Sequence, residues 1–151
     1  MSRLVSVETD LGWIGKLREM PAIAEAERQG RLIFVHVDIG PVGKWGKPID
    51  GSGAARYATY ASAPWSHCHV PDVVFVDGRF RVACALETVF QSVGNTKIAF
   101  HDFWKRPQYH VVLPFVECID RVDSLAVFKR LTPFNESAAR QLLERYRTNL
   151  D

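Results

Sequence analysis

An acidic residue closes each of four short apolar runs in this chain. Glu8 follows Leu-Val-Ser-Val, Asp38 follows residues 32–37, Asp77 follows residues 72–76, and His101-Asp102 follows residues 97–100. Continuous apolar runs of that length suit strands buried on both faces of a parallel sheet. Open sheets of that kind bind ligands outside the carboxyl ends of their strands. One acid after a strand is ordinary, because it caps the helix that follows. Four acids at four strand ends converge on one crevice and point to a site.

Each position suggests its own chemistry. Glu8 precedes a helix, where a carboxylate can accept hydrogen bonds from the two vicinal hydroxyls of a sugar or simply answer the helix dipole. In Asp77-Gly78-Arg79-Phe80-Arg81, Gly78 permits a tight turn or a close ligand approach. Arg79 and Arg81 can clamp a carboxylate or phosphate through paired N–H donors. Asp77 can act as a general base, a metal ligand or the partner of one arginine; an internal Asp–Arg pair that fixes the turn is the structural alternative. His101 brings the side chain that exchanges protons near neutral pH, and Asp102 can orient it, hold a metal or cap a helix. Tyr109 and His110 are weaker candidates, since the start of an amphipathic helix explains them as well.

Other chemistry-bearing residues carry less. His67-Cys68-His69 alternates ligand types, yet no further ligand lies at zinc spacing, so no metal is expected. Cys84 and Cys118 fall on apolar helix faces and read as core. Trp45, in a glycine-rich loop, is placed to stack on a bound acceptor, with plain packing as its alternative.

The elements that must position these residues alternate. Residues 3–7 read as a strand, and Thr9 or Asp10 as the cap of a helix over 11–29 that Pro21 kinks or splits. Strands follow at 32–37 and 72–76, a helix at 82–92, a strand at 97–100, a helix at 109–118, a strand at 124–129 and a terminal helix begun by Thr132 and Pro133. Residues 39–71 form a long loop rich in glycine, proline and aromatics, of the kind that is usually functional or disordered; its aromatics favour a packed loop. Alternation of this kind predicts an α/β fold, a mostly parallel sheet with helices on its faces, in one domain over residues 1–151.

Composition narrows the class. The chain has 151 residues, 47% of them hydrophobic and 24% charged, with a net charge of +2 from 19 basic and 17 acidic residues. That describes a globular protein and gives no basic surplus for nucleic acid. Three well-separated cysteines fit a reducing cytoplasm better than a disulfide framework. No apolar run approaches the roughly 20 residues of a spanning helix.

These segments together resemble a known group. Val5-Ser6-Val7-Glu8-Thr9-Asp10, Asp38-Ile39-Gly40-Pro41-Val42-Gly43-Lys44-Trp45-Gly46, the stretch from Asp72 through Asp77-Gly78-Arg79-Phe80-Arg81 to Leu86, and His101-Asp102-Phe103 with Arg106-Pro107 look like bacterial class I methyltransferase-like proteins of unknown substrate. The resemblance implies a Rossmann-like three-layer sandwich and S-adenosylmethionine as cofactor. It makes Glu8 the acid that holds the cofactor ribose and puts Asp38 and Ile39 beside the adenine. Asp77 then faces the methyl group, and His101 and Asp102 stand where some relatives hold a metal or a substrate hydroxyl. Arg79, Arg81 and Trp45 are expected on the acceptor.

The same resemblance places the fold's first strand and glycine-rich loop before Arg3. The expectation is a shortened chain with an incomplete sheet, whose open strand edges invite a second copy of the chain. The leading reading is a cytoplasmic methyltransferase acting on a small or acidic molecule, with neither nucleic acid nor membrane as partner. A non-catalytic Rossmann-like remnant that binds a protein partner is the alternative. A nicotinamide oxidoreductase ranks last, because no GxGxxG is present.

Overall fold

The computed structural model describes residues 2–150. They form six strands and five α-helices, in an α/β, Rossmann-like architecture that divides into two compact units, Met1–Cys68 and His69–Asp151.

In the first unit, β1 (Leu4–Glu8) and β2 (Leu32–His36) pair in parallel, with Glu8 opposite His36 at their carboxyl ends. The connection is two helices, as Pro21 requires. The first, α1 (Leu11–Arg18), is capped by the Asp10 carboxylate, which accepts from the N–H of Gly12 and Trp13. The second, α2 (Pro21–Arg28), has Pro21 in its first turn, where the missing N–H is unneeded. The long loop is packed rather than loose. It folds into 3-10 turns around a short helix, α3 (Thr59–Ser62), and buries Tyr57, Tyr60 and Trp65. The last of these turns, Ala63–Ser66, packs on β1. Glycine is essential where the loop returns: a Cβ on Gly53 would stand 1.8 Å from the carbonyl oxygen of Ile39.

The second unit holds β3 (Val73–Val76), β4 (Lys97–Phe100), β5 (Val116–Val122) and β6 (Leu125–Arg130), in the order β3-β4-β6-β5. β3 and β4 are parallel; β6 runs antiparallel to both of its neighbours. The crossover helix α4 (Arg81–Gln91) buries Val82, Leu86 and Val89 against the sheet side. Phe100, Phe103, Tyr109 and Phe128 form the aromatic core, with Phe103 and Phe128 4.7 Å apart edge to face. Among the described residues, β1 and β3 each have one hydrogen-bonded neighbour, which leaves each with an open edge.

Three elements differ from expectation. Residues 109–118 are not an α-helix: Pro107–Phe115 is a run of 3-10 turns, interrupted by Pro114, and the chain then enters β5. β5 pairs with the final strand, so the sheet ends in an antiparallel hairpin. The terminal helix α5 (Glu136–Tyr146) starts later than Thr132, capped by the Asn135 side chain on the N–H of Ala138.

Candidate functional site

Parallel pairing puts the ends of β3 and β4 level, with Val76 in register with Phe100. The next residues, Asp77 and His101, are therefore neighbours. His101 Nδ1 lies 2.8 Å from Asp77 Oδ1 and donates to it. A carboxylate on one ring nitrogen fixes the proton there and leaves Nε2 with its lone pair. Nε2 stands 3.8 Å from Asp102 Oδ1, beyond hydrogen-bond reach. Asp102 is engaged by Arg106, whose Nη2 is 3.4 Å from Oδ2 while Nη1 donates to the Tyr109 hydroxyl at 3.2 Å.

Backbone strain brackets this pair. Phe80 and Asp102 both take left-handed conformations, with φ of 53° and 59°. Each costs about 1–3 kcal/mol and persists where the surrounding packing dictates it. Phe80 and Phe103, fully buried beside these turns, supply that packing.

The two arginines of the turn have separate fates. Arg81, expected to clamp an acceptor, is 7% exposed and already satisfied. It donates to Asp77 Oδ1 at 3.2 Å, to the Gly78 carbonyl at 3.1 Å and to the His101 carbonyl at 3.0 Å. It is the internal partner of Asp77 that fixes the turn, the structural alternative for this cluster. Arg79 is the opposite case. It is half-buried, and its buried Nε has no hydrogen-bond partner among the described residues.

In the first unit, Glu8 is half-buried at the end of β1. Its carboxylate accepts from the Ser6 hydroxyl at 3.4 Å. Burial pushes its pKa above the ordinary carboxylate value, Ser6 opposes that, and Asp10 adds to it. Asp38 lies beyond the end of β2 and is exposed. It accepts from the Gly40 N–H at 2.9 Å and pairs with Arg56 at 3.2 Å. The Gly40 N–H, above all, holds its pKa below the ordinary value. The Ile39 side chain is fully buried, so it supports the site from the core and lines no open surface. Trp45 is 80% exposed.

Arg56, His36 and Arg106 are the additions that sequence reasoning missed. Arg56 and Arg106 come from loops, where spacing carries no signal; His36 is marked only by the strand register that sets it opposite Glu8. Among the described residues no group of three or more His, Cys, Asp or Glu is arranged to hold a metal ion, and no helix is long and apolar enough to cross a membrane. A groove of about 390 Å³ along α4 and α5 contains none of the candidates. Its Arg140 stacks on Phe90, from α5 onto α4, and its Arg130, the last residue of β6, stacks on Phe134 in the loop before α5.

No family model and no curated protein matches the chain. A solved structure does. The crystal structure of a methyltransferase-like protein from Silicibacter pomeroyi DSS-3 is 32% identical, with a TM-score of 0.79, over 97% of this chain and 76% of that one. A likeness of that extent, joined to acids at the ends of parallel strands, places this chain in the family of methyltransferase-like proteins.

Proposed function

We propose that the chain is an S-adenosylmethionine-dependent methyltransferase acting on a small acceptor that carries an acidic group. The observation that supports this best is the His101–Asp77 pair at the joined ends of β3 and β4. Asp77 keeps the His101 proton on Nδ1, so Nε2 can take a proton from an acceptor hydroxyl or amine as that atom becomes a nucleophile. Asp102, held by Arg106, stabilises the imidazolium that results. Arg79, a half-buried cation without a partner on its Nε, recognises the acceptor's carboxylate or phosphate. Arg81 is a positioning residue, acting through Asp77.

The residues of the first unit fit the cofactor. A desolvated carboxylate with one long donor contact, Glu8, suits the two hydroxyls of a ribose. Asp38 lies on the ring side, with Ile39 behind it in the core. When bound, the cofactor supplies an electrophilic methyl group; transfer of that group needs positioning more than covalent help.

The test is a thermal melt with and without S-adenosylhomocysteine. A ligand that binds only the native state adds about 2.7 kcal/mol at a hundredfold excess over its dissociation constant. The midpoint is expected to rise for the wild type and for His101→Gln, and to stay put for Glu8→Gln. A wild-type midpoint that ignores the ligand rejects the cofactor assignment.

A second reading, a protein-binding module or self-associating chain, draws support from the open edge of β3, where Val73 and Phe75 are 54% and 62% exposed. Sedimentation of the wild type against Phe75→Lys tests the self-associating form: a monomer in both cases removes it.

A further inference from the structure

His101 stands between two carboxylates, and it can serve as a base only while one of them keeps its distance. Asp77 Oδ1 accepts from Nδ1 at 2.8 Å, and Asp102 Oδ1 lies 3.8 Å from Nε2. A modest turn of the Asp102 side chain would close that gap to the length of a charge-assisted hydrogen bond, about 2.8 Å. Such a bond puts a proton on Nε2, and an imidazole that donates from both nitrogens has no lone pair left to accept another. Arg106 opposes that turn: its Nη2 lies 3.4 Å from Asp102 Oδ2. The contact is long and the Arg106 side chain is 40% exposed, so the arginine needs an anchor of its own.

Tyr109 is that anchor. Its side chain is 1% exposed, and its ring packs on Phe100 with centroids 5.0 Å apart. Phe100 ends β4, directly before His101. The Tyr109 hydroxyl accepts from Arg106 Nη1 at 3.2 Å, and the Tyr109 N–H donates to the Arg106 carbonyl at 3.0 Å. A second guanidinium lies beside the same ring: the Cζ atoms of Arg81 and Arg106 each stand 5.8 Å from its centroid. Arg81 holds Asp77. One buried tyrosine thus contacts both arginines, and each arginine holds one of the carboxylates that flank His101.

We propose that Tyr109 is a positioning residue for His101: its hydroxyl fixes Arg106, and Arg106 keeps Asp102 off Nε2. Asp102 then stands close enough to stabilise an imidazolium once it forms and too far away to call one up beforehand. This rests on the reading of His101 as the base. The hydroxyl can be removed alone. Tyr109→Phe keeps the ring, its packing on Phe100 and its contact with Arg81, and deletes only the acceptor of Arg106. Asp102→Asn removes the charge that would draw a proton to Nε2, and asparagine tolerates the left-handed backbone found at that position.

The experiment is nitrogen NMR of the His101 imidazole at neutral pH, in wild type, Tyr109→Phe, Arg106→Gln and the double variant Tyr109→Phe/Asp102→Asn, with the melting midpoint of each to show that it folds. In Tyr109→Phe the ratio of Nε2-protonated to Nε2-free His101 is expected to rise about tenfold, the scale of one hydrogen bond to a charged group. Arg106→Gln is expected to do the same, and the double variant to return to the wild-type ratio. An unchanged ratio in folded Tyr109→Phe overturns the proposal, and an unchanged ratio in Arg106→Gln overturns it even if Tyr109→Phe does not fold. A rise that persists in the double variant also overturns it, because the effect then bypasses Asp102. A wild-type His101 that already carries a proton on Nε2 overturns the reading of His101 as the base, and the proposal with it.

Discussion

Arg81 and His101 are joined through the backbone: the buried guanidinium donates to the His101 carbonyl oxygen at 3.0 Å while its other arm holds the Asp77 carboxylate. One side chain from the first turn of α4 thus ties together the ends of two parallel strands. Arg81→Met would leave two carbonyls without this donor and the exposed Asp77 carboxylate with His101 alone. The expected loss is about 1–3 kcal/mol, from the carbonyls left without a donor. Urea unfolding of the variant measures it, and a loss under half a kilocalorie would show that water replaces the guanidinium.

Asp77 is expected to set the His101 tautomer. Nitrogen NMR of the imidazole should show a protonated Nδ1 and a free Nε2 in the wild type. In Asp77→Ala the two tautomers should mix, because the 2.8 Å acceptor is gone. An unchanged spectrum would take Asp77 out of any role in orienting the base.

Glu8 should make stability depend on pH. Burial raises its pKa above 4.5 in the folded chain. The native state therefore holds this proton more tightly than the unfolded one. That contribution is full below 4.5 and is lost as pH rises through the folded value. Glu8→Gln, neutral throughout, is expected to lack this slope and to gain on the wild type above it. Denaturation curves across the acidic range, wild type against variant, read the difference directly.

Asp38 should act in the reverse sense. The Gly40 N–H and then Arg56 keep its pKa below 3.8. Its contribution is present above 3.8 and is lost as pH falls through the folded value. Asp38→Ala should flatten the acid limb of the stability curve and lose a small increment at neutral pH, small because the group is exposed. A variant with the wild-type acid limb would show that the Gly40 and Arg56 contacts do not form in solution.

The parallel units were legible because their physics is local. Residues 73–76 and 98–100 are apolar throughout, which marks them as strands, and the acids after them stand where parallel pairing brings them together. β5 was not legible. Its residues after Val116 are all exposed, and a bulge between Cys118 and Asp120 breaks the alternation that marks a one-sided strand. The apolar run before it contains Pro114 and turns in 3-10 fashion, so its helical reading had composition without period. The same division holds in the site. Asp77 and His101 announce themselves by position. The difference between Arg79 and Arg81 does not, because it depends on which of two neighbours the left-handed turn at Phe80 sends inward.

The contact between Gly53 and Ile39 allows no side chain at all: alanine there would overlap the Ile39 carbonyl. Gly53→Ala is expected to cost about 1–3 kcal/mol or more. A chain of this size would then melt roughly 2–4 °C lower per kcal/mol lost. Differential scanning calorimetry decides it.

That crossing also bears on how the chain finds its shape. Ile39 and Gly53 are close in sequence, and closing a short loop sacrifices little chain freedom. The loop that carries Trp45 can therefore be cinched as soon as β2 has formed. On this account the return of the loop is laid down early, by a local crossing of backbone, before its tip settles against Thr9 and its last turn against β1.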